Sequence, residues 1–335
     1  MNEPHLEAGL VEPAPLDYKD RSVGLTVFGI LTLLMGSLVA LLLLLMLVGL
    51  AAGPRTQNAP GPVSIMFFVV FIYGGLAGAL VWLGIGSIMA RRWARALLLI
   101  FAWSCLVVGV FLLVFMPFVM TKAMANLPAD AKTGNPAMPP AAITGMIMFM
   151  MIFFGLFFVV VPAIWVFFYK SRHVKATCEA RDPVPRWTDA CPLPVLGFCL
   201  WLMFSALMFL FMPLINHGVM PLFGMFLTGL PGTLLCLIFA AVWGCAAWWL
   251  YHLDVRGWWL ILIALVVFTA SSLVTYARHD ILEMYQLLGY PQAQIDQIQK
   301  TGLMTGNHMF WLSFLSVLPF AGYLLFIKKY LPGRP

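Results

Sequence analysis

The stretch VGLTVFGILTLLMGSLVALLLLLMLVGL, residues 23–50, runs for 28 positions without one charged side chain. Coiled as a helix it would extend about 42 Å at 1.5 Å per residue, more than the roughly 30 Å hydrocarbon core of a bilayer. Lipid offers no partner to a backbone N–H or C=O, so only helices and closed barrels cross it. The stretch lacks the polar–apolar alternation of a barrel strand. Residues 23–50 therefore read as a membrane-spanning helix. The run is too long for the apolar part of a secretory signal and has no clear cleavage site. The leader before it, residues 1–22, carries Glu3, Glu7, Glu12, Asp17 and Asp20 rather than a basic start, so the run is expected to be retained.

Seven more runs of this kind follow, at 63–89, 95–120, 141–169, 193–215, 231–251, 258–278 and 308–327. The 19 Lys/Arg and 13 Asp/Glu fall in the connections or at the ends of the runs. A chain that is 62% hydrophobic and 10% charged has too little polar surface for a soluble fold of this size. The expected fold is all-α, a multi-pass transmembrane helical bundle of about eight helices in a lipid bilayer.

Alternate connections differ sharply in charge. Lys19, Arg21, Arg91, Arg92, Arg95, Lys170, Arg172, Lys175, Arg181, Arg186, Arg256, Lys328, Lys329 and Arg334 lie on one side, 14 of the 19 basic residues. Arg55, Lys122, Lys132, Arg278 and Lys300 lie on the other. Basic loops stay on the cytoplasmic side during insertion, which predicts a plasma (inner) membrane protein with both termini cytoplasmic. The net charge of +6 then reflects insertion and contact with anionic lipid. No connection interleaves basic and aromatic residues as a nucleic-acid surface would, so nucleic acid is not an expected partner.

The longest cytoplasmic connection begins KSRHVKATCEARDPVPRWTDACPLP at Lys170, and its prolines and mixed charges mark a linker over 170–192. It divides the chain into a leader (1–22), a first four-helix half (23–169), a second four-helix half (193–327) and a basic tail (328–335). The halves share features in order. ARRWARALLLI (90–100) and LDVRGWWLILI (253–263) occupy the same turn, and Pro162 and Pro319 each precede a basic exit. Four spans is an even number, so two such repeats would insert in the same orientation, parallel about an axis along the membrane normal. In the second span Gly74 and Gly78, and Gly75 and Ala79, are spaced to let helix backbones approach, and that face is expected to pack inside the bundle. Pro117, Pro162 and Pro319 are expected to kink their helices.

No ionisable group lies mid-span, which argues against proton relays, voltage sensing and ion-coupled transport. No pair of mid-span histidines is available for a b-type haem, and no nucleotide-binding, zincin or nucleophile-elbow motif is present. Two candidate clusters remain. On the outer side of the second half stand His217, His279, Asp280 and His308, with Glu283, Met284 and Met309 nearby in sequence. Three imidazoles and a carboxylate suit Zn or Cu if the helix ends converge. In the linker, His173, Cys178 and Cys191 offer a weaker set, because their spacing matches no zinc pattern. Outside those positions cysteine serves as a small apolar residue.

Two further stretches carry structure rather than chemistry. Residues 281–300 read as a pair of short amphipathic helices broken at Gly289-Tyr290-Pro291, and 218–232 as an unusually apolar interfacial or re-entrant connection. The methionine-rich MIMFMMIFF (146–154) reads as lipid-facing filler in preference to an adaptable cavity wall. Two functional readings follow. The first is a non-enzymatic membrane protein, either a subunit that binds membrane-protein partners or a carrier of an uncharged, apolar or amphipathic small molecule. The alternative is a membrane enzyme or metal-handling protein built on the outer histidines.

Overall fold

A computed structural model describes residues 18–52, 63–125, 140–301 and 306–331. Most of the leader, the connections that hold Arg55 and Lys132, and the tail with Arg334 lie outside the described residues. Among the described residues, eight helices are long and apolar enough to cross a membrane: Ser22–Gly49, Met66–Ile88, Arg92–Pro117, Thr144–Lys170, Leu193–Asn216, Gly229–Tyr251, Val255–Arg278 and Met309–Lys328. The chain is an all-α, multi-pass helical bundle.

In chain order the elements are α1 (Ser22–Ala52), α2 (Val63–Ile88), α3 (Arg92–Ala125) and α4 (Pro140–Gly155). A π-turn at Leu156–Val160 leads into α5 (Val161–Lys170). Then come α6 (Arg172–Arg181), α7 (Leu193–Asn216), β1 (Met220–Leu222), β2 (Met225–Leu227), α8 (Gly229–Tyr251) and α9 (Val255–Arg278). The chain closes with α10 (Ile281–Leu287), α11 (Gln292–Thr301) and α12 (Gly306–Lys328). The second to last pair are the two short helices expected over 281–300. The apolar connection 218–232 forms an antiparallel hairpin, with Met220 paired to Leu227 and Leu222 to Met225.

Each half has its own core. Leu25, Leu83, Leu98, Val166, Tyr169, Val174 and Cys178 pack together in the first. Leu202, Trp243, Ala246, Leu250, Trp258, Ile261, Leu324 and Ile327 do so in the second. First and fourth spans meet in both. Phe28 stacks on Phe168 at 4.1 Å, and Phe198 meets Phe320 at 5.3 Å. The halves touch through α7, where Phe71 lies 4.7 Å from Phe211 and Trp201 Nε1 donates to Ser104 Oγ at 2.8 Å.

The close crossing of α1 on α2 is made by glycines other than those expected. A Cβ on Gly84 would meet Gly29 O and Leu33 N at 2.9 Å, and one on Gly36 would meet Val81 N at 3.0 Å. Gly75 and Gly78 have nothing within 4 Å of where a Cβ would sit, and Gly74 has only Leu43 at 3.7 Å. Packing instead follows Gly29 on α1 against Gly84 and Ile88 on α2, and Gly36, two turns further along α1, against Leu80 and Val81. The two helices thus approach most closely where Gly29 meets Gly84.

Pro162 acts through the π-turn. Lacking an N–H, it cannot bond the carbonyl four residues back, that of Phe158. The helix accommodates this by widening, and Val161 N–H returns to Leu156 O, five residues back. Gly109 of α3 packs directly onto the Phe158 carbonyl, leaving no room for a Cβ.

The turns between second and third spans are built alike in the two halves. Ala90 (φ 52°) and Leu253 (φ 58°) are both left-handed. Ala90 N bonds Ser87 O and Arg91 N bonds Gly86 O, each at 2.9 Å; Leu253 N bonds Leu250 O and Asp254 N bonds Trp249 O, again at 2.9 Å. Five residues past the left-handed position, Arg95 donates to Tyr169 O at 3.1 Å and Trp258 donates to Leu324 O at 2.8 Å. In each half a third-span side chain grips a carbonyl near the end of the fourth.

The linker is more than a tether, because its α6 buries Val174, Thr177 and Cys178 against the first half. Asp182 follows, its side chain 3% exposed, 2.9 Å from Arg186 and 3.7 Å from Arg91. Asp189 lies 3.3 Å from Arg92, and Glu179 bridges Arg92 and Lys175. The prolines and mixed charges that read as a linker also build a polar clasp over the ends of α2 and α3.

Candidate functional site at the far end of the second half

The hairpin at the end opposite the linker rests on one face of α9. His217 closes α7 in the left-handed conformation (φ 52°), and Asn216 Nδ2 donates to Val219 O at 3.0 Å. Gly218 (φ 73°) then brings the chain so close to Gly232 of α8 that a Cβ on Gly232 would fall on the Gly218 carbonyl. The hairpin tip, Phe223 (φ 41°) and Gly224 (φ 88°), reaches α9. There Ser271 and Thr275, four apart on one face of α9, and His279, the extended residue just past its end, hold it. Phe223 N donates to Ser271 Oγ and Gly224 N to Thr275 Oγ1, both at 3.0 Å. His279 Nε2 lies 3.0 Å from Gly224 O, and its Nδ1 lies 2.7 Å from Glu283 Oε2 on α10. Phe226 sets its ring edge-on to the imidazole at 5.8 Å.

This ladder gives Phe223 N, Gly224 N and Gly224 O partners, and a buried polar group left without one costs roughly 1–3 kcal/mol. Of the proposed metal ligands, His279 already uses both ring nitrogens, on Gly224 and Glu283. His217 is exposed at the end of α7, and Asp280 is exposed just before α10. His308 lies in the first turn of α12, and its side chain is outside the described residues. Among the described residues no three His, Cys, Asp or Glu side chains gather at one point. Ser271 and Thr275, with 4% and 0% exposure, are the functional contacts that sequence reading missed. Their four-residue spacing ahead of His279, beside an apolar Gly-rich connection, was the available signal.

In the linker, Lys19 N donates to His173 Nδ1 at 3.3 Å. Burial pushes the thiols of Cys178 and Cys191 up to about 11, which keeps both protonated and unreactive.

Two cavities stand out among the described residues. One, walled by Met116, Met150 and Met151 of the methionine-rich region and its neighbour, holds only about 10 Å³. The other is a groove of about 400 Å³ between α1 and α2, lined by Ala40, Leu43, Leu47, Gly74, Gly78 and Val81. It lies beside the unpacked glycines, within the length of the two spans.

Fold and composition together define a helical multi-pass integral membrane protein. No protein-family model matches the chain, and no curated protein or solved structure matches it.

Proposed function

We propose that the chain is a non-enzymatic membrane subunit that seats a transmembrane helix of a partner in the groove between α1 and α2. The carrying observation is that groove. It lies within the spans, its walls are apolar, and a Cβ on Gly78 in its wall, or on neighbouring Gly75, would meet nothing within 4 Å. An acyl chain fills an apolar groove without needing glycine, whereas a helix backbone gains close approach from it. Glycine inside a helix costs roughly 0.5–1 kcal/mol against alanine, and lipid alone would not offset that. A carrier of small molecules has less support, since the methionine-lined cavity is about the size of one water.

A photo-crosslinking residue in place of Gly78, activated in native membranes, should yield one protein adduct of fixed mass. Gly75→Leu should abolish it while leaving thermal stability unchanged. Adducts with lipid alone would defeat the proposal. Metal handling through His217, His279 and His308 is the lesser reading, because it asks His279 to release Gly224 or Glu283. Stoichiometric Zn or Cu in the purified protein, lost when all three histidines become Gln, would place it first.

The same proposal includes a tandem repeat and an orientation. The matched turns at Ala90 and Leu253, and the matched grips of Arg95 and Trp258, support two parallel four-helix repeats. The charge bias supports a plasma-membrane location with both termini cytoplasmic. Labelling of a cysteine introduced at Ala180 by an impermeant reagent from outside the cell would overturn that orientation.

A further inference from the structure

The basic residues at the linker end are not equally engaged. Asp182 and Asp189 occupy Arg91, Arg92 and Arg186, Glu179 takes up Lys175, and Asp20 faces Arg181 at 3.9 Å. At the second half, Arg256 lies 3.8 Å from Asp254. Lys328 sits over the Trp258 ring at 4.7 Å and Lys329 over Phe326 at 3.8 Å. Among the described residues, no carboxylate lies within ion-pair distance of Lys19, Arg21, Lys170 or Arg172, and all four are exposed.

These four come together at one corner. Lys19 N bonds His173 and Arg21 N bonds Thr177, so residues 19–21 run along the first turns of α6. Lys170 ends the fourth span, Arg172 opens α6, and Lys175 is the next residue on the same helical face. The first span starts at Ser22. The corner therefore lies where two spans leave the apolar layer, at the depth of lipid phosphates.

We propose that this corner binds the phosphate of an anionic phospholipid headgroup in the adjoining leaflet. Four unpaired cations from two chain segments meet one phosphate layer, and each basic residue at an anionic surface strengthens binding on the order of fivefold. The lipid would tie the start of the first span to the end of the fourth, where α6 turns away from the membrane.

The test uses the full chain in neutral detergent, with native mass spectrometry and thermal shift as readouts. Probes are phosphatidylglycerol, phosphatidylcholine and inorganic phosphate. Phosphatidylglycerol should bind, and its affinity should fall as salt is raised. Replacing Lys19, Arg21, Lys170 and Arg172 with Gln should weaken it on the order of several hundredfold. Replacing Arg256, Lys328 and Lys329 with Gln should not. Equal losses in both variants, equal binding of phosphatidylcholine, or salt-independent binding by the unaltered chain would overturn the proposal. Inorganic phosphate binding as tightly as the lipid would assign the corner to a free anion and also overturn it. So would a need to delete residues 2–16 before lipid binds, since the acidic leader would then be the occupant.

Discussion

Replacing Gly84 with Ala should destabilise the protein, and replacing Gly78 with Ala should not. A methyl group on Gly84 would stand 2.9 Å from Gly29 O and Leu33 N, against 3.4 Å or more for ordinary contact. Both obstacles are backbone atoms in the middle of a helix, so neither can swing aside. Helices α1 and α2 must separate by about half an ångström where Gly29 and Leu33 cross Gly84. Overpacking of this kind costs about 1–3 kcal/mol. For domains of 150–250 residues each kcal/mol corresponds to roughly 2–4 °C in melting temperature. A fall of several degrees in detergent, read by intrinsic fluorescence, is the expected result. At Gly78 the added methyl meets nothing within 4 Å, so the change should be neutral or stabilising, by up to about 1 kcal/mol. A neutral Gly84→Ala beside a costly Gly78→Ala would show that the crossing lies where the four-residue glycine spacing first placed it.

Asp182→Asn should cost about 1.5–3 kcal/mol, since it removes a charge-assisted bond while Arg91 and Arg186 stay partly solvated. The hydrogen bond from Arg186 holds the Asp182 carboxyl below its ordinary value. The unfolded chain therefore takes up the proton first. This stabilisation is fully present above the unfolded value, near 3.9, and is lost as pH falls through the lower folded one. Melting temperature should decline less steeply on acidification in the Asn variant than in the unaltered protein. At neutral pH, Cys178 and Cys191 should resist maleimide in the folded protein, while a cysteine at exposed Ala180 reacts at once; mass spectrometry after brief labelling decides it. Thr275→Val should strand the Gly224 N–H, costing about 1–3 kcal/mol and raising hydrogen exchange across 220–227. Unchanged exchange there would mean that the ladder does not hold the hairpin.

What was legible in the sequence is what depends on period and run length. Eight uncharged runs became eight spanning helices, because in lipid the backbone leaves no alternative. The break at Gly289-Tyr290-Pro291 separates α10 from α11 because a left-handed glycine followed by proline cannot continue a helix. Pairwise choices were not legible. Glycine spacing states that a helix can be approached, not which neighbour approaches it. Only the antiparallel pairing of α1 with α2 shows that Gly29 answers Gly84, and Gly36 answers Leu80 and Val81. The far-end histidines drew notice as metal-binding types. Whether His279 faces two other imidazoles or a carbonyl and a carboxylate depends on a hairpin whose register no local pattern reveals.

Beyond the matched grips of Arg95 and Trp258, the two halves place their other buried polar bonds at opposite ends, and this bears on where a partner can enter. In the first half, Ser87 Oγ donates to Leu25 O and shares a 2.7 Å hydrogen bond with Tyr169, Arg95 caps the Tyr169 carbonyl, and Asp182 closes the linker end. In the second half, the corresponding investment is the Ser271, Thr275 and His279 ladder at the far end. Among the described residues the first half is thus pinned at the linker end and glycine-locked at Gly84, with its groove on the other side of that lock. A helix seated at Gly74 and Gly78 would disturb no buried polar bond. The crossing that limits stability and the groove assigned to a partner then separate experimentally. Gly84→Ala should shift both melting and association, because it moves α1 relative to α2. Gly75→Leu should shift association alone. Loss of stability in the Gly75 variant would mean that the groove is packed in the native membrane by this chain itself, and the partner reading would fall.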